Sequence, residues 1–383
     1  MMKVPLSSPD IIEKDIEAVV EVMKTRFLSI GPKVVEFEKR MSEYAGVKYA
    51  VAVNSGTSAL HLIVRGLGIG EGDKVLTTPF SFISSSNCIL FERATPLFVD
   101  IEDKTLNMDL EKTKEKLESL PLDELKKVKA MVVVDVFGQP ADWDGFRELG
   151  EEYNIKLIED SAEALGSEYK GRKCGSFGEA GVFAFYPNKQ ITTGEGGILV
   201  TGDAELDRLA RSMRSQGRGE SGEWLDHERL GYNYRMDEMS AALGCSQMER
   251  IEEILDKRAK VARMYREKLA EVEGVQIPYI SPDTTKMSWF VYVIQLDKKI
   301  NRDRMIKYLN AEGVQCKPYF TPIHLQPFYR KMFGYKEGDF PVTEDVTGRT
   351  IALPFFNNLK EEQIDYVVEK IKCGITNAGK NSI

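Results

Sequence analysis

The chain has 383 residues, and 52 Lys+Arg against 60 Asp+Glu leave a net charge of −8. A hydrophobic content of 42% at this length is enough to bury a full core, which excludes a disordered tail. The negative balance excludes a nucleic-acid coat or a basic membrane binder, because either needs a positive field, and no apolar run approaches the ~20 residues of a membrane span.

In chain order, Met1-Met2-Lys3-Val4-Pro5 meets a proline before any signal-like apolar stretch, so a cytoplasmic location is expected. Short β-rich runs then alternate with helical ones. Strands are expected at Tyr49–Val53, Lys74–Thr78, Pro96–Val99, Ala130–Phe137, Ile155–Glu159, Gly181–Phe185 and Gly197–Thr201. Near-continuous apolar runs such as Ala130-Met131-Val132-Val133-Val134 suit parallel strands buried on both faces. Helices are expected at Thr57–Leu67, Ser84–Arg93, Leu110–Leu120, which Pro121 ends, and Ala141–Tyr153. This alternation predicts an α/β fold with a mostly parallel sheet wrapped by helices, whose ligands bind at the carboxyl ends of the strands. Ser240–Leu269 reads as one long charged helix. Beyond it come a strand at Ser288–Leu296, a helix at Arg302–Glu312, a Pro-rich stretch from Pro318 to Pro327 and a helix at Glu361–Lys372, with a polar end from Gly374 expected to fray. The expected division is a large α/β domain over 1–250 and a smaller α+β domain over 251–383.

Five scattered cysteines without a C-x-x-C pair fit free thiols, and three separated histidines point to no metal centre. Chemistry is carried by three segments. Asn54-Ser55-Gly56-Thr57 follows a strand and opens a helix, which is either an ordinary cap or a cradle for an anion. Ile158-Glu159-Asp160-Ser161 delivers Asp160 at a strand end, to cap the next helix or to pair with a cation on a ligand. Phe183-Ala184-Phe185-Tyr186-Pro187-Asn188-Lys189 runs from a buried strand to a lysine, which is a solvated charge or an amine held against a packed site. A desolvated lysine can attack a carbonyl and form a Schiff base. Together, an anion cradle, a carboxylate and an imine-forming lysine are what pyridoxal 5′-phosphate (PLP) requires. Phe82, in Pro79-Phe80-Ser81-Phe82, is either a cover for its ring or plain core.

With these segments, Gly31-Pro32-Lys33-Val34-Val35-Glu36-Phe37-Glu38, Gly231-Tyr232-Asn233-Tyr234-Arg235-Met236 and the Pro-Ile-His run at His324, the sequence resembles the DegT/StrS-type PLP-dependent sugar aminotransferases over nearly its whole length. The resemblance implies fold type I, with a seven-stranded sheet in the large domain. It makes Lys189 the imine-forming and proton-shuttling amine, and Asp160 the partner of the pyridine nitrogen. Gly56 and Thr57 would hold the phosphate, Phe82 would cover the ring, and Asn233 would reach the phosphate of a neighbouring subunit in a homodimer. Two positions depart from the family pattern. Glu163 stands where Gln or His is common near the ring hydroxyl, and Ala184 stands where many relatives have a phosphate-binding Ser, so that either Asn188 compensates or the phosphate is held by fewer bonds. His324 and Tyr186 are substrate-side candidates by the same resemblance, His324 with the alternative of plain loop structure. The expected reaction moves nitrogen from L-glutamate to a nucleotide-linked 4-keto-6-deoxyhexose. A 3-keto sugar or keto-cyclitol acceptor, or a regulatory relative without turnover, are the alternatives. His61, between Leu60 and Leu62, reads as a core histidine. Arg211, Arg214 and Arg218 read as a solvated helix face or, alternatively, contacts for a nucleotide diphosphate.

Overall fold

A computed structural model describes residues 2–219 and 226–380, with side chains through 376. Seven strands form the central sheet: β1 (Tyr49–Val53), β2 (Lys74–Thr77), β3 (Thr95–Phe98), β4 (Val128–Val134), β5 (Lys156–Asp160), β8 (Ala180–Ala184) and β9 (Gly197–Thr201). Their spatial order is β1-β9-β8-β5-β4-β2-β3. The neighbours β3, β2, β4, β5 and β8 pair in parallel, and β9 runs antiparallel to both β8 and β1. The reversal has a local cause: residues 185–196 hold no helix, and a parallel return needs a crossover long enough to carry one. Six strands therefore end at the same edge of the sheet. The apolar runs are buried on both faces, by the helix Gly56–Gly66 with Leu206 and Met213 on one side and by Phe37, Met41 and Ile254 on the other.

A second core gathers Tyr265, Tyr292, Leu309, Ile351 and Val367. It is built on a three-stranded antiparallel sheet, β10 (Val275–Gln276), β12 (Tyr292–Leu296) and β13 (Thr350–Leu353). A hairpin of β6 (Glu168–Tyr169) and β7 (Arg172–Lys173) pairs with β11 (Thr284–Lys286) and ties the sequence halves together. Val4 is buried in this second core and bridges Val314, so the N-terminal strand-like residues cross the boundary expected at 250/251.

Four expectations change. The single helix over Ser240–Leu269 is two, Glu238–Glu249 and Ile251–Leu269, broken at Arg250 (φ −122°, ψ 24°). The first is buried against the helices Glu13–Met23 and Pro32–Ala45, whereas the second enters the C-terminal core; the Arg250 guanidinium reaches Asp10 and Asp15 at the break. The strand expected over Ser288–Leu296 begins only at Tyr292, because Trp289 takes φ 55°, and the one over Ala130–Phe137 stops at Val134, ahead of a turn in which Phe137 has φ 58°. The last helix runs past Lys372 to Lys380 rather than fraying at Gly374; residues 381–383 lie outside the described residues. No described helix is long and apolar enough to cross a membrane.

Candidate active site

The common edge of the six strands collects the singled-out segments. β1 ends in Asn54-Ser55-Gly56, β2 leads to Phe80 and Phe82, β5 ends at Asp160, and β8 leads to Tyr186 and Lys189. Parallel pairing sets Asp160 beside Val134 on one side and Val182 on the other, in the middle of the sheet.

Asp160 is buried. Its Oδ2 accepts the Ser85 hydroxyl at 2.6 Å, and Oδ1 accepts the Ala162 N–H at 3.3 Å. Burial pushes its carboxyl pKa up, against the two hydrogen bonds and the positive charge of Lys189, which favour the carboxylate. The Lys189 side chain is largely buried. Its Nζ lies 3.5 Å from Glu163 Oε1 and 3.8 Å from the centroid of the Phe290 ring, a cation–π contact. Glu163 is buried too, and its Oε2 accepts the Phe137 N–H at 2.9 Å. Burial raises its pKa, opposed by the charge of Lys189.

The turn after β1 has the form of an anion site. Ser55 caps the helix Gly56–Gly66 by accepting the Ser58 N–H, while the Gly56 and Thr57 N–H groups meet no acceptor among the described residues. A Cβ on Gly56 would lie 2.8 Å from that of Ala184, and one on Gly197 would overlap the Ser55–Gly56 backbone, so both glycines allow the turn to sit on β8 and β9. Ala184 thus closes directly on the turn. Asn188, next to Lys189, has a buried Oδ1 without a partner among the described residues.

The donor set fits PLP. Two free N–H groups at a helix start suit a phosphate, a buried carboxylate without a bonded cation suits a protonated ring nitrogen, and Phe82, 62% exposed beside Ser81, can cover a flat ring. Tyr186, 54% exposed, follows at the same edge. Asn233 is exposed on a strand-like segment bridged to Ser215.

Other candidates move elsewhere. His324 is fully buried, with Nε2 on Glu344 at 3.1 Å and its ring 4.7 Å from Phe340, so its side chain packs the interior. Arg211 and Arg214 are not a solvated face: both pair with Glu38 and cap the Ala50 and Ala52 carbonyls, which removes them from a diphosphate role. Buried Asp135, Glu159 and Cys174 form a group with metal-like spacing, and the two carboxylates are already engaged by Ser161, Trp143 and backbone N–H groups. Sequence reasoning missed Ser85, which reads only as a helix start in Ser84-Ser85-Ser86, and Phe290, which comes from a distant part of the chain with no local signal.

A family model described as the DegT/DnrJ/EryC1/StrS aminotransferase family matches residues 9–372. The GDP-perosamine synthase of Caulobacter vibrioides is 36% identical over 371 residues, covering 96% of each chain. Among solved structures, Helicobacter pylori PseC, an aminotransferase involved in the biosynthesis of pseudoaminic acid, superposes with a TM-score of 0.91 at 28% identity, over 98% of this chain and all of that one. A Streptococcus pneumoniae protein described as a candidate sugar aminotransferase, solved in its PLP form, has a TM-score of 0.91 at 26% identity, over 98% of this chain and 100% of that one.

Proposed function

The chain belongs to the DegT/DnrJ/EryC1/StrS aminotransferase family, whose members depend on PLP, and from that premise we propose that this sugar aminotransferase moves nitrogen from L-glutamate to a nucleotide-linked 4-keto-6-deoxyhexose. The observation that carries the chemistry is the Lys189 amine in its pocket of Glu163 and Phe290, on the sheet edge that also holds Asp160. The GDP-linked product in the name of the Caulobacter relative supports a nucleotide on the acceptor. Glutamate as donor rests on the family resemblance.

PLP, when bound, supplies an aldehyde for the amine and a ring that takes up the electron pair left when a proton leaves the adjacent carbon. Lys189 Nζ would be the nucleophile that holds the group and the base that takes the proton and returns it as an acid. Asp160 would pair with the ring nitrogen, and the Ser85 hydroxyl, donating to Asp160 Oδ2, aims it and favours its carboxylate against burial. The Gly56 and Thr57 N–H groups would hold the phosphate, Phe82 would cover the ring, and Glu163 would stand near the ring hydroxyl. Tyr186 lines the substrate side. Asn233 completes the phosphate site of a second subunit, so the working form is a homodimer. Exposed Ile12, Ile16, Val20 and Met23 on one N-terminal helix, with Phe27 and Leu28, supply apolar surface for that contact.

Borohydride reduction of the holoenzyme followed by peptide mapping should place the adduct on Lys189. An adduct on another lysine, or none, overturns the assignment. Turnover of isotopically labelled glutamate with a panel of nucleotide-linked keto sugars tests the acceptor, and no turnover on any of them overturns that part alone.

A further inference from the structure

Behind the segment that carries Asn233 lies a closed polar network which the reaction does not use. His61, on the helix Gly56–Gly66, is buried, with Nδ1 3.0 Å from the Tyr234 hydroxyl and Nε2 2.7 Å from Glu92 Oε1. Glu92 also accepts Arg65 at 2.8 Å and the Tyr232 hydroxyl at 3.2 Å. The Tyr232 and Tyr234 rings stack on each other at 4.8 Å and 9°, and the His61 ring lies 4.7 Å from Tyr232.

A carboxylate only accepts, so Nε2 carries the hydrogen and Nδ1 accepts from Tyr234; one neutral tautomer satisfies every group. Burial pushes the His61 pKa below its ordinary value, against the pull of Glu92, which keeps the ring in that neutral form. The segment itself is extended. Tyr232 N–H donates to the Met213 carbonyl and Tyr234 N–H to that of Arg214, while the Tyr234 carbonyl accepts Asn54 N–H at the start of the anion turn. In extended backbone, side chains alternate. With Tyr232 and Tyr234 both locked inward on His61, Asn233 between them is driven to the outer face, where it is exposed.

We propose that His61 and Glu92 are positioning residues that fix the outward aim of Asn233 through the two tyrosines, and so tune how tightly the neighbouring subunit holds the PLP phosphate. The inference rests on the reading of Asn233 as a partner-site phosphate contact. It makes cofactor retention at one site depend on a buried histidine of the other protomer.

The test measures PLP dissociation of the dimeric holoenzyme by visible absorbance, alongside kcat at saturating PLP, for N233A, H61A, Y234F and the two double variants with N233A. The expected result is PLP weakened about tenfold by N233A and about three- to tenfold by H61A and Y234F, with kcat at saturating cofactor within about twofold of the parent for H61A and Y234F. H61A and Y234F should add nothing to N233A, since they act through it. H61Q, which keeps a donor and an acceptor, should restore part of the loss. Y234F removes one hydroxyl only and covers the case in which H61A does not fold. Full additivity with N233A, or unchanged PLP retention in folded dimeric Y234F and H61A, overturns the proposal. Unchanged retention in N233A itself overturns instead the reading of Asn233.

Discussion

Asp160 and Ser85 show how much a single hydroxyl contributes at this site. Asp160 is buried with hydrogen bonds from Ser85 and the Ala162 N–H, and among the described residues no cation lies within ion-pair distance. Burial alone favours the protonated acid, which cannot hold a proton on a ring nitrogen. The Ser85 hydroxyl opposes that shift by bonding the ionised form. Ser85→Ala should therefore lower kcat about tenfold and move the acid limb of its pH profile upward by about one unit, while the Lys189 adduct still forms on borohydride reduction. A pH profile that keeps its acid limb in place would show that Ser85 only packs the helix start.

At the scale of elements, the break at Arg250 separates two helices with different surroundings. Glu238–Glu249 is covered on several sides, whereas Ile251–Leu269 turns a narrower apolar face to the C-terminal core. The break is held by charges from the N-terminal segment. Arg250 bonds Asp15 at 3.0 Å and Asp10 at 3.2 Å, while Asp15 also takes Ser246 and Gln247. Both acids are buried, so removing the cation leaves Asp15 without its ion pair, while Asp10 keeps Lys257 at 3.2 Å. Arg250→Ala should cost about 3 kcal/mol, read as a lower urea midpoint, and Arg250→Lys about half of that, because lysine lacks the fork that reaches both acids. Equal midpoints for Arg250→Ala and the parent would show that packing alone sets the break.

The whole molecule carries a pH signature in the middle of its sheet. Glu159 on β5 and Asp135 after β4 share the Ser161 hydroxyl, at 2.8 Å and 2.7 Å. Burial and the charge of Asp135 push Glu159 up to about 8, and burial pushes Asp135 up to about 6. Both folded values lie above those of the unfolded chain, so folding takes up protons. The resulting stability is full below the ordinary carboxylate range and is lost as pH rises toward about 8. Unfolding free energy should fall between pH 5 and 8, by at most about 1.4 kcal/mol per pH unit for each proton taken up. Asp135→Asn keeps an acceptor for Trp143 and removes the charge facing Glu159, so its slope should be shallower. A parent stability that is flat or rising over that range contradicts this proton uptake on folding.

The sequence by itself determined the seven strands to within a residue or two at most ends, the helix that opens at Gly56, and the segments of Asp160 and Lys189. Those features are local: β-rich apolar runs, a Ser-Gly-Thr cap and a lysine behind two aromatics each leave their mark within about ten residues. Tertiary structure alone decided what those residues meet. Ser85 and Phe290 reach Asp160 and Lys189 from other parts of the chain, His324 is buried on Glu344, and Arg250 at the helix break meets Asp10 and Asp15 from the N-terminus. Periodicity reports which face of an element is buried, but the identity of the group across that face depends on distant segments, which no local pattern encodes.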